Sequence, residues 1–200
     1  MERTGVGQSD RFVLLVDAVG GYWVCLGDDI VVGQAGPERA DLPILGDLSA
    51  RHARIRRDGE GYLVEAFRDV YVDGRKIDHL AMLAHGSRLQ LGPSVRLVFR
   101  RPHALSATAR LDFVSRHRTQ PSTDAVLLMA DACVLGPAPF CHVVCPELKH
   151  DVVLYRRDER LLVRTPGKFE IDGVVCRDQA VLRPNSRIVG ANFSLSLEPL

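Results

Sequence analysis

Apolar positions come in short bursts along this chain: "FVLLVDAV" from Phe12, "YWVCLG" from Tyr22, "DIVVG" from Asp29, "YLVEAF" from Tyr62, "VYVDG" from Val70, "RLQLG" from Arg88 and "VRLVF" from Val95. Each burst is bounded by Gly, Pro, Asp or Ser, and turn signals recur about every 8–12 residues. The i, i+3, i+4 spacing of an amphipathic helix is hard to find. The pattern predicts an all-β chain built as a sandwich or barrel.

The series of bursts then returns. "DLSARHARIRRD" (Asp47–Asp58) aligns with "ELKHDVVLYRRD" (Glu147–Asp158) at an offset of 100. "YLV…VYVDG" aligns with "LLV…FEIDG" at 99, and "DDIVVG" (Asp28–Gly33) with "DACVLG" (Asp131–Gly136) at 103. An offset that drifts only where loops change length points to an internal duplication. The division that follows is a tail over 1–10, a first β-sandwich over 11–101, a short linker at 102–105 and a second β-sandwich over 106–200. The linker is neither long nor Gly/Ser-rich, so the halves are expected to pack on each other. Val31 with Val134, Leu45 with Cys145 and Val72 with Ile171 are expected at equivalent core sites.

Composition narrows the functional classes. Of 200 residues, 46 % are hydrophobic and 26 % charged, which fits a folded globular chain. A net charge of +1 supplies no global field for nucleic acid or an anionic membrane. No apolar run approaches the roughly 20 residues a spanning helix needs, and the first ten residues lack a signal-peptide core. Five cysteines, an odd number without framework spacing, indicate free thiols and a cytoplasmic location. Under the offsets, Cys25, Cys133, Cys145 and Cys176 fall on Leu128, Ile30, Leu45 and Ile77. Four thiols at aliphatic sister positions read as core residues. "CHVVC" (Cys141–Cys145) is therefore not read as a metal site, which would need a second ligand pair.

Ser49 and His52 are the candidates for chemistry. A Ser–His nucleophile would need an orienting third residue and an oxyanion hole, and the chain has no G-x-S-x-G elbow. Turn chemistry and anion binding stay open for Ser49. Arg51, Arg54, Arg56 and Arg57 form a basic cluster; two of them alternate with Ala53 and Ile55, as on a half-exposed strand. Asp73-Gly74 and Asp172-Gly173 have the makings of type I′ hairpin turns.

With Gly33, the Ser49-x-x-His52 pair followed by "ARI", "VYVDGRKI" (Val70–Ile77), "HGSRLQLG" (His85–Gly92) and the closing "VRLVF", the first half resembles the forkhead-associated (FHA) domain. The resemblance implies two tandem FHA-like β-sandwiches, the second degenerate, and a non-catalytic protein-interaction module without a cofactor. It implies a phosphothreonine-containing protein segment as partner, with Ser49, Gln34, Arg51 and Arg68 as phosphopeptide-binding residues and Gly33 and His52 shaping the loops. The chain departs from the family pattern. Gln34 stands in the place of the phosphate-binding arginine, Ala50 follows the serine, and the segment after Glu65 is short and lacks the Asn-Gly turn. In the second half Pro137, Lys149 and Val152 are expected opposite Gln34, Ser49 and His52. A phosphate-independent scaffold that uses sheet faces or the interdomain groove is the alternative.

Overall fold

The computed structural model describes residues 10–37, 40–59, 61–103 and 105–200. The expected tail, apart from Asp10, and Ala104 of the expected linker lie outside the described residues. The first hairpin is β1 (Arg11–Val16) and β2 (Gly20–Cys25). Then come β3 (Asp29–Gln34), β4 (Leu42–Ile44), β5 (Ala53–Asp58), β6 (Gly61–Ala66), β7 (Val70–Val72), β8 (Arg75–Lys76), β9 (Leu80–Leu83), β10 (Arg88–Leu91) and β11 (Val95–Arg100). A second hairpin, β12 (Ala109–Phe113) and β13 (Ala125–Leu128), leads into β14 (Ala132–Gly136), β15 (Val143–Val144) and β16 (Val152–Arg157). Last are β17 (Arg160–Ile171), β18 (Val174–Leu182), β19 (Arg187–Val189) and β20 (Ser194–Pro199). The all-β expectation holds.

Strands β4-β3-β5-β6-β9 make one sheet. A continuous 15-stranded sheet runs β15-β14-β16-β17-β19-β20-β1-β2-β13-β12-β11-β10-β7-β8, with β18 beside β17. Two cores form, the first between the two sheets and the second within the 15-stranded sheet, whose β14–β18 arm faces β1, β2, β19 and β20. In the first, Ile55 and Val64 meet Leu97, Phe99, Leu111 and Val126. In the second, Leu135, Leu154 and Val163 meet Leu14, Tyr22 and Leu197.

Strand pairing crosses the boundary expected at 102–105. β11 pairs antiparallel with β12, and β20 pairs antiparallel with β1. The hairpin that opens each half of the sequence thus completes the sandwich of the other half. The first sandwich is continuous from β3 to β13, whereas the second joins β14–β20 to the chain's opening hairpin. The two hairpins meet where β2 and β13 pair in parallel, Trp23 beside Val126. This seam is buried on both faces: Tyr22 and Val24 enter the second core, Trp23 and Cys25 the first. Strands buried on both faces carry continuous rather than alternating apolar residues, which is why "YWVCL" and "AVLLMA" do not alternate.

Each pairing in the first sandwich has a counterpart in the second. β3 and β4 are parallel, as are β14 and β15. β17 and β18 are long enough to act in both layers, with a register shift between Arg164 and Lys168. Asp73 (φ 50°) and Gly74 (φ 81°) make a tight turn, matched by Asp172 (52°) and Gly173 (82°). Positive φ at both central residues is the type I′ signature. Each aspartate also ties its turn to the neighbouring strand: Arg88 N donates to Asp73 Oδ1 at 2.8 Å, and Arg187 N to Asp172 Oδ1 at 2.8 Å. Ser87 and Ser186 hydroxyls donate to the other carboxylate oxygen at 3.3 Å in both places.

Some expected equivalences shift by one residue. Leu45 is 50 % exposed and is no core residue. The parallel registers pair Leu42 with Val32 and Val143 with Leu135, so Ile44 is the counterpart of Cys145. The antiparallel registers set Ala53 opposite Val32 and Val152 opposite Leu135. Asp151, not Val152, therefore holds the place of His52. The cause is loop length: the connection after Cys145 is shorter than the one after Ile44, and sequence matching spread the gap into the strand. Val31 and Val134 occupy equivalent positions but are half-buried; Val72 is half-buried and Ile171 buried. Cys25, Cys133, Cys141 and Cys145 are buried, while Cys176, expected buried, is partly exposed.

Candidate functional site

Gly33 ends the regular part of β3 against the loop that carries Ser49. A Cβ there would overlap the carbonyl of Ala50 and lie 2.9 Å from that of Ser49. Both obstacles are backbone, so any side chain would push the loop away. The contact lets Gln34 N donate to Ser49 O at 3.0 Å.

His52 is the hub of the surrounding loops. Its side chain is buried. Nδ1 accepts from Ser49 N at 3.3 Å, and Nε2 lies 3.0 Å from Asp69 O. An amide N–H donates and a carbonyl accepts, so the neutral ring carries its proton on Nε2. The His52 backbone N–H donates to Val32 O at 2.9 Å, and its carbonyl accepts from Phe67 N at 3.1 Å and Arg68 N at 3.0 Å. Five bonds through one residue fasten the Ser49 loop, strand β3 and the Phe67–Asp69 connection together. Asp69 O also accepts Gly92 N at 2.9 Å. The Asp69 carboxylate sits 2.6 Å from Lys76 Nζ, and this hydrogen bond holds its pKa below the usual value.

The structure brings Gly33, Gln34, Ser49 and His52 together. Ser49 is half-buried, and among the described residues its hydroxyl has no hydrogen-bond partner. Gln34 is exposed at the end of its strand. Arg51 and Arg68 are exposed and join through Phe67. The Arg51 guanidinium lies 5.8 Å from the Phe67 ring centre, and Arg68 Nη1 donates to Phe67 O at 2.8 Å. Neither arginine has an ion-pair partner among the described residues. Arg54 also reaches the Phe67 ring, at 5.4 Å, but its charge is engaged by Asp29 at 3.2 Å and Glu65 at 3.4 Å. Phe67 and Lys76 were not singled out in the sequence. An aromatic residue inside an otherwise polar, shortened connection was the available signal for Phe67.

In the second half the same place is held by Gly136 and Asp151, whose carboxylate abuts the glycine. The hub histidine, the serine and the two flanking arginines have no counterparts there.

Comparison with known families falls on this region. The FHA domain model matches residues 30–92, which run from β3 to the turn after β10. The FHA domain of the CT664 protein from Chlamydia trachomatis is 32 % identical, with 41 % of this chain and 89 % of that one covered and a TM-score of 0.31. Residues 30–92 are an FHA domain. The Rv0020c FHA structure is 24 % identical over 46 % of this chain and 91 % of its own, with a TM-score of 0.30. The N-terminal FHA domain from EssC, a component of the bacterial Type VII secretion apparatus, is 11 % identical over 94 % of this chain and 91 % of its own, with a TM-score of 0.26. No curated protein matches. FHA domains are phosphopeptide-binding interaction modules, generally non-catalytic, so this chain carries a protein-interaction module. Among the described residues, no helix is long and apolar enough to cross a membrane.

Proposed function

We propose that the first sandwich binds a phosphothreonine-containing segment of a cytoplasmic protein partner through the Ser49 loop. The observation that carries this reading is the Ser49 hydroxyl, unpartnered among the described residues, in a loop that the His52 hub fastens to the Phe67–Asp69 connection, with Arg51 on the loop and Arg68 on the connection, both without ion-pair partners among the described residues. Ser49 Oγ donates to a phosphate oxygen. Arg51 and Arg68 supply the positive charge that a phosphate of about −1.5 to −2 requires. Gln34 adds a neutral hydrogen bond where the family has an arginine. Gly33 and His52 fix the loops. On this reading the second half is a degenerate copy of the same domain, with Asp151 repelling an anion where His52 stands in the first. Charge-assisted hydrogen bonds are worth roughly 1.5–3 kcal/mol each. Losing the arginine fork to glutamine thus lowers affinity by about one to two powers of ten. Titration of phosphorylated and unphosphorylated peptide libraries against wild type, Ser49→Ala and Gln34→Arg tests the proposal. Phosphorylated peptides bind better, Ser49→Ala weakens them and Gln34→Arg strengthens them. Equal affinity for both peptide forms in all three proteins rules the reading out.

A further inference from the structure

A cavity of about 570 Å³ opens in the second sandwich between the β1–β2 turn, the loop after β15 and the turn before β20. Val19, Leu148, Phe193 and Cys145 line it, and its charged lining residues are Asp17 and Glu147.

The first sandwich shows what fills the corresponding place. There the β1–β2 turn, Asp17–Val19, is replaced by the longer β12–β13 connection running from Val114 to Asp124. That connection folds back over the sheet. His117 lies against Gly46, where an added Cβ would be 2.9 Å from its Cδ2, and His117 Nε2 lies 3.4 Å from Ser94 Oγ. Thr119 forms an antiparallel bridge to Ile44. Leu45 N donates to Arg118 O at 2.8 Å, and Gln120 N to Pro43 O at 3.1 Å. The segment Arg116–Gln120 thus covers the edge of β4 through an isolated bridge and two backbone hydrogen bonds, is basic in character, and sets its histidine between Gly46 and Ser94.

Among the described residues, the equivalent edge of the second sandwich has no strand beside it. β15 ends the sheet. Val144 takes the place of Pro43 and is 38 % exposed. Because the Pro43 carbonyl faces outward to Gln120, the backbone groups of Val144 face outward as well, and Val144 adds an N–H that proline lacks. Pro146, in the place of Leu45, lacks the N–H that Leu45 gives to Arg118 O, so Val144 alone both donates and accepts on this edge, beside an apolar cavity with acidic lining.

We propose that this groove in the second half binds an extended, basic segment of a partner protein, added as a strand along β15. One side chain enters the cavity between Val19 and Phe193, and Arg or Lys beside it faces Asp17 and Glu147. The site is independent of phosphate and of Ser49, so it stands or falls apart from the function proposed for the first half.

The probe is a labelled synthetic peptide with the sequence of residues 114–122, the chain's own example of such a segment, titrated into the full chain. Binding is expected to saturate and to be at least tenfold weaker for Glu147→Lys, an exposed position whose change leaves the cores intact. It is expected to be equally reduced when both arginines of the peptide are glutamate, and unaltered by Ser49→Ala. Amide shifts are expected at 143–148 and 192–195. Three results overturn the proposal: no saturation at millimolar peptide, equal affinity for the charge-reversed peptide, or shifts confined to Ile44, Leu45 and Thr119, where the peptide would be displacing the native loop.

Discussion

A fragment cut at the sequence boundary, residues 11–101, should fail to hold the first sandwich, whereas residues 28–129 should fold. The pairing shows why. The 11–101 fragment loses β12 and β13, and with them the ladder from Leu97 to Arg100. It also loses Leu111, Val126 and Leu128 from the first core, all at most 2 % exposed. Burying a Leu or Val side chain contributes about 1.5–3 kcal/mol, so these three account for roughly 5–9 kcal/mol. A whole domain has a net stability of about 5–15 kcal/mol. The fragment's own hairpin could move into the vacancy, but it fits badly. In the registers with β11 and β20, Phe12 would replace Ala109 and Tyr22 would replace Val126. Overpacking costs about 1–3 kcal/mol per site. The 28–129 fragment keeps β3 to β13 and gives up Val13, Trp23 and Cys25 at the margin of the core. Urea unfolding followed by circular dichroism, with amide spectra for dispersion, compares the two. A monomeric 11–101 fragment with a urea midpoint equal to that of 28–129 would refute the argument.

Other expectations are smaller in scale. His52→Ala should lower stability by about 2–4 kcal/mol, because it strands Ser49 N without an acceptor and opens a buried gap; thermal unfolding should register a fall of roughly 5–10 °C, and no change would mean that the hub is not structural. Gly33→Ala should displace the Ser49–Ala50 backbone, seen as amide shift changes confined to 32–35 and 48–53, and an unperturbed loop would contradict the close approach. Burial pushes the Cys25 and Cys133 thiols up to about 12 and Cys145 to about 11. At pH 8 these three therefore stay protonated and covered, so a thiol reagent should modify the partly exposed Cys176 first and the remaining four on denaturation; rapid reaction of all five in the native state would show that the cores open.

Much of the fold was legible because its signals are local. Turn residues, short apolar bursts and the repeated Asp-Gly pairs describe strands and hairpins one at a time, and the Asp73 and Asp172 networks match bond for bond. The exchange of hairpins was not legible as such, since β1 and β12 are both amphipathic and either sandwich could accept either one by pattern alone. What separates the two arrangements is side-chain volume at facing positions, Phe12 against Ala109, which a hydrophobic pattern does not weigh. One trace of the exchange was present. "YWVCL" and "AVLLMA" run apolar on both strand faces, and a hairpin at the outside of a lone sandwich would have one wet face.

The site was legible to a different depth. Gly33, Ser49 and His52 are read through the resemblance to the FHA pattern, which marks a close backbone approach and a loop-tying imidazole by one residue type at one position each. The charge around them was not, because it depends on where long side chains come to rest. Arg51, Arg54 and Arg68 all converge on Phe67, yet Arg54 is held by two carboxylates and the other two arginines have no ion-pair partner among the described residues. Sequence proximity ranks these three alike; ion pairing separates them. The same comparison separates the two halves. Asp151 occupies the register position of the histidine and its carboxylate lies against Gly136, so the strand frame persists while a carboxylate stands where a neutral imidazole tied the loops. The hub histidine, the serine and both arginines are all replaced there while the cores are kept, so under the proposed function the second half has no anion site, and the acidic groove around Glu147 faces a basic partner instead.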